Sequence, residues 1–300
     1  MLLDALTHPA AFLMSRLKFM GKFGLIASLF AIPFLYSVIQ IAASNERDIN
    51  TLKSRYKSLL YIYEIQPALH KAEIVRDLSP LATMTPNATA NKLFIENSQA
   101  LEEEINILQN TSKNHQDNVL IESSIKAIKD ETKKIDITIK TELGFVEDPF
   151  EAEHKLVVQF HRLQSRLADQ SGMLSDRDSL TLQLISFALE ELNEAFYLMG
   201  KARALGIYYL DKGHVNSNGG KLLEDTYTQL INTETKLTDR YEHLIEKFPE
   251  LTTNNFIRSN LLKNIFLSHQ DIDNNIIQDH KLSQHWETYL LNHTNYYFFL

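Results

Sequence analysis

The chain has 300 residues, a formal charge of −8 and no cysteine, so disulfides, thiolate metal sites and cysteine nucleophiles are excluded. The acidic balance leaves no basic stripe to displace counterions, which argues against nucleic acid as a partner. With 9 glycines and 7 prolines in the whole chain, helix breakers are scarce, and the composition predicts an all-α fold built from long helices.

Residues 1–22 read as a short, partly amphipathic leader. Phe23–Ser44 follows as a run without a charge, and about 20 apolar residues suffice to cross a bilayer as a helix. Arg16, Lys18 and Lys22 precede it, whereas Asn45, Glu46, Arg47 and Asp48 follow it. This bias places the N-terminus in the cytoplasm and the body outside it. A cleaved signal peptide is the rival, with Ala42-Ala43-Ser44 as small residues for a peptidase. Signal cores typically run about 7–15 residues, and this run is longer, so an uncleaved single-pass anchor in the inner (cell) membrane is expected. Pro33 inside the run is tolerable in a membrane helix, where neighbours can re-satisfy the freed carbonyl.

Beyond the anchor, Ile49, Leu52, Tyr56, Leu59 and Tyr63 alternate spacings of three and four, the stripe of a helix entering a bundle. Ser79–Asn91 carries two prolines and is expected as a loop. Residues 91–110 and 124–140 repeat the amphipathic pattern. Leu143–Asp148 is a break, and Asp148-Pro149 starts a helix to about Gly172. Asp178 or Ser179 caps a long apolar helix that Lys212-Gly213 closes. A polar loop, His214–Gly220, precedes helices near 219–247, 255–269 and 282–300. The middle break divides the body into two stacked helical bundles, 45–145 containing Arg76 and 146–300 containing Arg203.

Several short motifs in this order resemble the periplasmic sensor region of bacterial transmembrane receptors, namely methyl-accepting chemotaxis receptors and membrane-bound diguanylate cyclases with helical bimodular or nitrate-sensing-like input domains. The matching stretches are Arg16-Leu17-Lys18-Phe19 before the anchor, Tyr63-Glu64-Ile65-Gln66-Pro67-Ala68-Leu69, and Val75-Arg76-Asp77-Leu78-Ser79. Later come Ser175-Asp176-Arg177-Asp178-Ser179 and Met199-Gly200-Lys201-Ala202-Arg203-Ala204-Leu205-Gly206. Val75 stands where the family has His, and Asp77 where it has Gly, so ligand identity does not carry over. The resemblance implies signal transduction in a homodimer that binds a small anion or carboxylate; no nucleophile elbow, phosphate loop or paired catalytic carboxylates can be placed in the sequence, so neither a cofactor nor enzymatic activity is expected. Family members return through a second membrane helix to an output domain. Asn292–Leu300 is too short an apolar run to span, so a receptor truncated in its last sensor helix is expected, and a purposeful anchored sensor stays open.

Arg203 is the leading ligand candidate. Gly200 and Gly206, three residues to either side on one helix face, remove side chains that would crowd it, opening a slot for a guanidinium that grips an anion bidentately. Equally open is close helix packing at the glycines with Arg203 paired to a Glu. Arg76 follows the same logic, but Glu73 and Asp77 beside it favour structural pairing. His269, His280, His285 and His293 lack metal-ligand spacing, and the Asp271–Asn275 stretch lacks the glycine and closing Glu of a calcium loop, so no metal is expected. Asn-x-Ser/Thr triplets at Asn87, Asn110 and Asn292 carry no weight, since the resemblance is to bacterial receptors. The rival function is a membrane-anchored helical scaffold or adaptor without a small-molecule ligand.

Overall fold

The computed structural model describes residues 18–84, 87–113, 118–138, 150–175, 179–249, 251, 262–279 and 281–297. Among them every regular element is helical and there is no strand. The leader before Lys18, the Leu143–Asp148 break, the Asp148-Pro149 start, the Asp176–Asp178 turn, His280 and residues 255–261 of the expected 255–269 helix lie outside the described residues.

The first helix, α1 (Phe19–Glu64), runs through Pro33 without interruption. It is long and apolar enough to cross a membrane, with a mean hydropathy of 2.0 over its best window and none of that window buried. The chain divides into two compact units, Met1–Ser54 and Arg55–Leu300. In the second unit Ile65 interrupts the helix, and α2 (Gln66–Met84) begins with Pro67 in its first turn, where the missing N–H is not needed.

The stripe Ile49, Leu52, Tyr56, Leu59, Tyr63 differs from expectation: all five are more than half exposed. The inward face is the one carrying Ser58, Tyr61, Ile62 and Ile65. The Tyr61 hydroxyl donates to the Leu108 carbonyl at 2.7 Å and fixes that face, and burial pushes the phenol pKa up.

After α2 come α3 (Ala88–Ser112), α4 (Asn118–Thr138) and α5 (Glu151–Gln170). The expected 79–91 loop is shorter, because α2 continues through Pro80 to Met84. Leu78 and Leu81 are buried there, and that packing outweighs the lost backbone hydrogen bond. Asn87 caps α3, its side chain accepting from Ala90 N–H at 2.9 Å. α2 packs against α3, α5 and α7, α3 against α4, and α4 against α5.

The long apolar helix is present from Ser179, but in three parts: α6 (Ser179–Ser186), a π-helical turn (Phe187–Glu191) and α7 (Leu192–Lys212). Gly213 ends it in the left-handed region at φ 71°, a conformation that favours glycine. The turn is again shorter than expected, since Asn216 caps α8 (Ser217–Lys247) by accepting from Gly219 N–H at 2.7 Å. Leu223, Leu230, Leu237 and Leu244, seven apart, are all buried, which makes α8 a seam helix. A further helix, α9 (Lys263–Ile272), leads into a π-helical turn (Asp273–Ile277) and α10 (Trp286–Tyr297). α7 packs on α8, α9 and α10.

Candidate functional site

Two helices of unlike sequence meet where α2 crosses α7, and each brings one arginine to the seam. Glu73, Arg76 and Asp77 lie at i, i+3 and i+4 on α2 and so share a face. Gly200 and Arg203 share a face of α7. Arg76, Arg203 and Asp77 have no solvent exposure, and Glu73 is buried.

A single carboxylate joins the two arginines. Asp77 Oδ1 accepts from Arg76 Nε at 3.0 Å, and Asp77 Oδ2 accepts from Arg203 Nε across the seam. Glu73 Oε2 stands 3.7 Å from Arg203 Nη2, an ion pair longer than a hydrogen bond. Nη1 and Nη2 of Arg76 are buried and have no hydrogen-bond partner among the described residues. A buried, incompletely satisfied guanidinium is costly, so an acceptor at that edge would be strongly held.

Gly200 is what lets Arg76 in. A Cβ there would come within 2.8 Å of Arg76 Nη1 and 2.9 Å of Cζ. Gly206 is instead filled by Tyr289 of α10, whose hydroxyl oxygen would stand 2.6 Å from a Cβ. Thus Arg76, Gly200 and Arg203 come together, while Gly206 seats an aromatic ring beside them. Neither glycine leaves the open slot at Arg203 that the spacing suggests.

Histidines surround this seam, a feature the sequence did not single out. On α5, burial and then the charge of Arg76 hold His154 well below its ordinary pKa, and the same causes bring His161 down to about 4. Burial and then Arg203 lower His70 to about 4 and His293 to about 3. All four are neutral at pH 7. Glu73 moves the other way, raised by burial against the pull of Arg203 and Arg76. Nearby, the Ser79 hydroxyl donates to buried Glu153.

The histidines weighed as metal ligands do not converge, and each described one meets its own carboxylate. His269 meets Glu234 at 2.7 Å, His285 lies 3.9 Å from Glu287, and His293 lies 3.4 Å from Asp271. Among the described residues no group of three or more His, Asp or Glu could hold a metal ion. A cavity of about 690 Å³ opens beside the α7–α8 turn, lined by Leu223, Glu224, Tyr227, Asp273 and Ile276 among others. None of the four predicted site residues reaches it.

Comparison with protein-family models, curated proteins and solved structures finds no match to this chain.

Proposed function

We propose that this chain is the sensor module of a bacterial transmembrane receptor, anchored in the inner membrane by α1 and binding a small anion outside the cytoplasm. The anion class is nitrate or a short carboxylate, and the residues that hold it are Arg76 and Arg203, with Gly200 giving Arg76 its place. The observation that carries this reading is the surplus of buried guanidinium donors at the α2–α7 seam, with Nη1 and Nη2 of Arg76 unsatisfied among the described residues. A planar anion matches a guanidinium edge with two parallel hydrogen bonds.

In this reading α2–α5 and α7–α10 are two four-helix bundles that meet at the α2–α7 seam, with α5 assigned to the first bundle, against the 145/146 division expected from the sequence, because it packs on α2 and α4. Ligand binding shifts a two-state equilibrium of that seam, by as much as the anion's differential affinity for the two states. The body lies in the periplasm and the N-terminus in the cytoplasm, following the Lys/Arg bias around Phe23–Ser44. The partner is a second copy of the chain. Supporting this is the exposed stripe on α1, whose alternating three-and-four spacing is that of a two-stranded coiled coil.

A second reading, an anchored helical scaffold without a ligand, is favoured by a specific observation. Arg76 and Tyr289 fill the space at Gly200 and Gly206, and Arg203 meets two carboxylates. Thermal unfolding of the full chain in detergent micelles, with sodium nitrate, formate and acetate against sodium chloride, separates the two. A ligand at about one hundred times its dissociation constant adds roughly 2.7 kcal/mol. Saturable stabilisation that Arg203→Ala removes is the expected result. A folded protein indifferent to every anion supports the scaffold.

A further inference from the structure

The carboxylate of Asp77 is used in an unusual way. It sits on the same helix as Arg76 and one residue away, yet it also reaches the arginine of the facing helix. One oxygen serves each guanidinium, both through Nε, and the group is wholly buried. An ordinary ion pair matches one carboxylate to one arginine. Here one carboxylate on a single methylene tether is shared by two, and the short tether leaves it no reach to Nη1 and Nη2 of Arg76. The second acid of the face, Glu73, has its Oε2 3.7 Å from Arg203 Nη2.

We propose that Asp77 is a built-in ligand, occupying the seat between Arg76 and Arg203 that a short free monocarboxylate takes when it binds. The inference rests on the anion-site reading above and adds the ligand class and the way the site is regulated. Formate and acetate present the same group as Asp77 without its tether, so they can turn to face the Nη edge of Arg76 that Asp77 leaves unsatisfied. Binding is therefore an exchange. The free carboxylate enters, Asp77 leaves, and the Asp77–Arg203 contact that joins α2 to α7 opens. No bond is made or broken beyond hydrogen bonds and ion pairs.

This arrangement predicts a wild-type chain that binds free carboxylates weakly. A tethered group competes at a high effective concentration, and the apparent dissociation constant rises as the vacant fraction of the seat falls. Removing the tethered group should strengthen binding. Asp77→Asn keeps the volume in the seat, whereas Asp77→Ala empties it.

The test is a sodium formate titration of thermal stability, with sodium chloride at matched ionic strength, on the full chain in detergent micelles. The expected result is an Asp77→Ala midpoint at least about tenfold lower in formate than the wild type's. Asp77→Asn should show a smaller gain, and Asp77→Ala with Arg203→Ala none. Equal midpoints for the wild type and Asp77→Ala overturn the exchange but leave the anion site standing. A response in Asp77→Ala alone supports the built-in ligand and removes the anion-sensing role of the wild type. Indifference of both chains overturns both readings. Where Asp77→Ala does not fold in chloride, the readout is recovery of its helical circular dichroism on adding formate. Recovery supports the proposal, and failure to recover in molar formate overturns it.

Discussion

The guanidinium of Arg76 lies against the backbone of Gly200, so the arginine of α2 is seated in α7 by the absence of a side chain. The reverse crossing is made by Arg203, which leaves α7 to meet Asp77 and Glu73 on α2. The two helices therefore exchange arginines, and the seam is held by charges as well as by apolar contacts.

Gly200→Ala should be destabilising despite the better helix propensity of alanine, worth up to about 1 kcal/mol. Its methyl would stand within 2.9 Å of three guanidinium atoms, and overpacking a full site costs about 1–3 kcal/mol. Because Arg76 is the obstacle, the loss should shrink when Arg76→Met is added, giving a coupling in a double-mutant cycle. Urea midpoints of the four proteins check this, and simple additivity would show that the two residues do not press on one another.

Arg203→Met removes one of the two arginines from Asp77 and leaves Glu73 without its nearest cation. Breaking a buried pair from one side typically costs about 3–5 kcal/mol. Replacing Arg203, Asp77 and Glu73 together by apolar residues of similar volume should restore much of that loss. A triple variant as unstable as Arg203→Met would mean that packing, and not the uncompensated acids, sets the cost.

Acid should weaken the fold from pH 6.5 downward. His161 and His293 titrate in the folded chain at about 4 and about 3, against an ordinary 6.5. Between those values the unfolded chain binds more protons, so stability falls as pH falls, in total by roughly 3 kcal/mol or more for each. His70 and His154 act in the same direction. Glu73 has the opposite sign: its raised folded pKa favours the folded chain while protonated, and that contribution is lost as pH rises above 4.5. Urea midpoints at pH 7, 5.5 and 4.5 should fall in that order. His161→Gln should flatten the fall, and an unchanged slope would remove His161 from the account.

The exposed stripe on α1 predicts close approach of two copies just beyond the membrane-spanning run. Asp48 and Lys53 flank it five residues apart, the spacing at which opposite charges pair across a parallel coiled coil. The chain has no cysteine of its own, so single cysteines report cleanly. Leu52→Cys in membranes should give disulfide-linked dimer in higher yield than Asn50→Cys on the flank. Equal yields would indicate random collision.

Much of the fold was legible because helices announce themselves locally. The scarcity of glycine and proline, the charge-free run at Phe23–Ser44 and the stop at Gly213 each depend on near neighbours in sequence. The loop expected at 79–91 is shorter in the structure: Pro80 is a local breaker, whereas the burial of Leu78 and Leu81 that overrides it is a tertiary quantity. The stripe on α1 differs from its pattern for a similar reason. Periodicity shows that a face is apolar, but which face turns inward was decided by Tyr61 and the distant Leu108 carbonyl.

At the candidate site, sequence by itself singled out Arg76, Arg203, Gly200 and Gly206, because an arginine between glycines on a helix is chemically conspicuous. It also offered Glu73 and Asp77 as neutralising neighbours of Arg76. Only the tertiary structure decided that Asp77 reaches across to Arg203, that Glu73 faces Arg203, and that Gly200 serves Arg76 and Gly206 serves Tyr289. The physical reason is that helix periodicity fixes which residues share a face, whereas partners 126 positions apart are fixed by how two faces are packed.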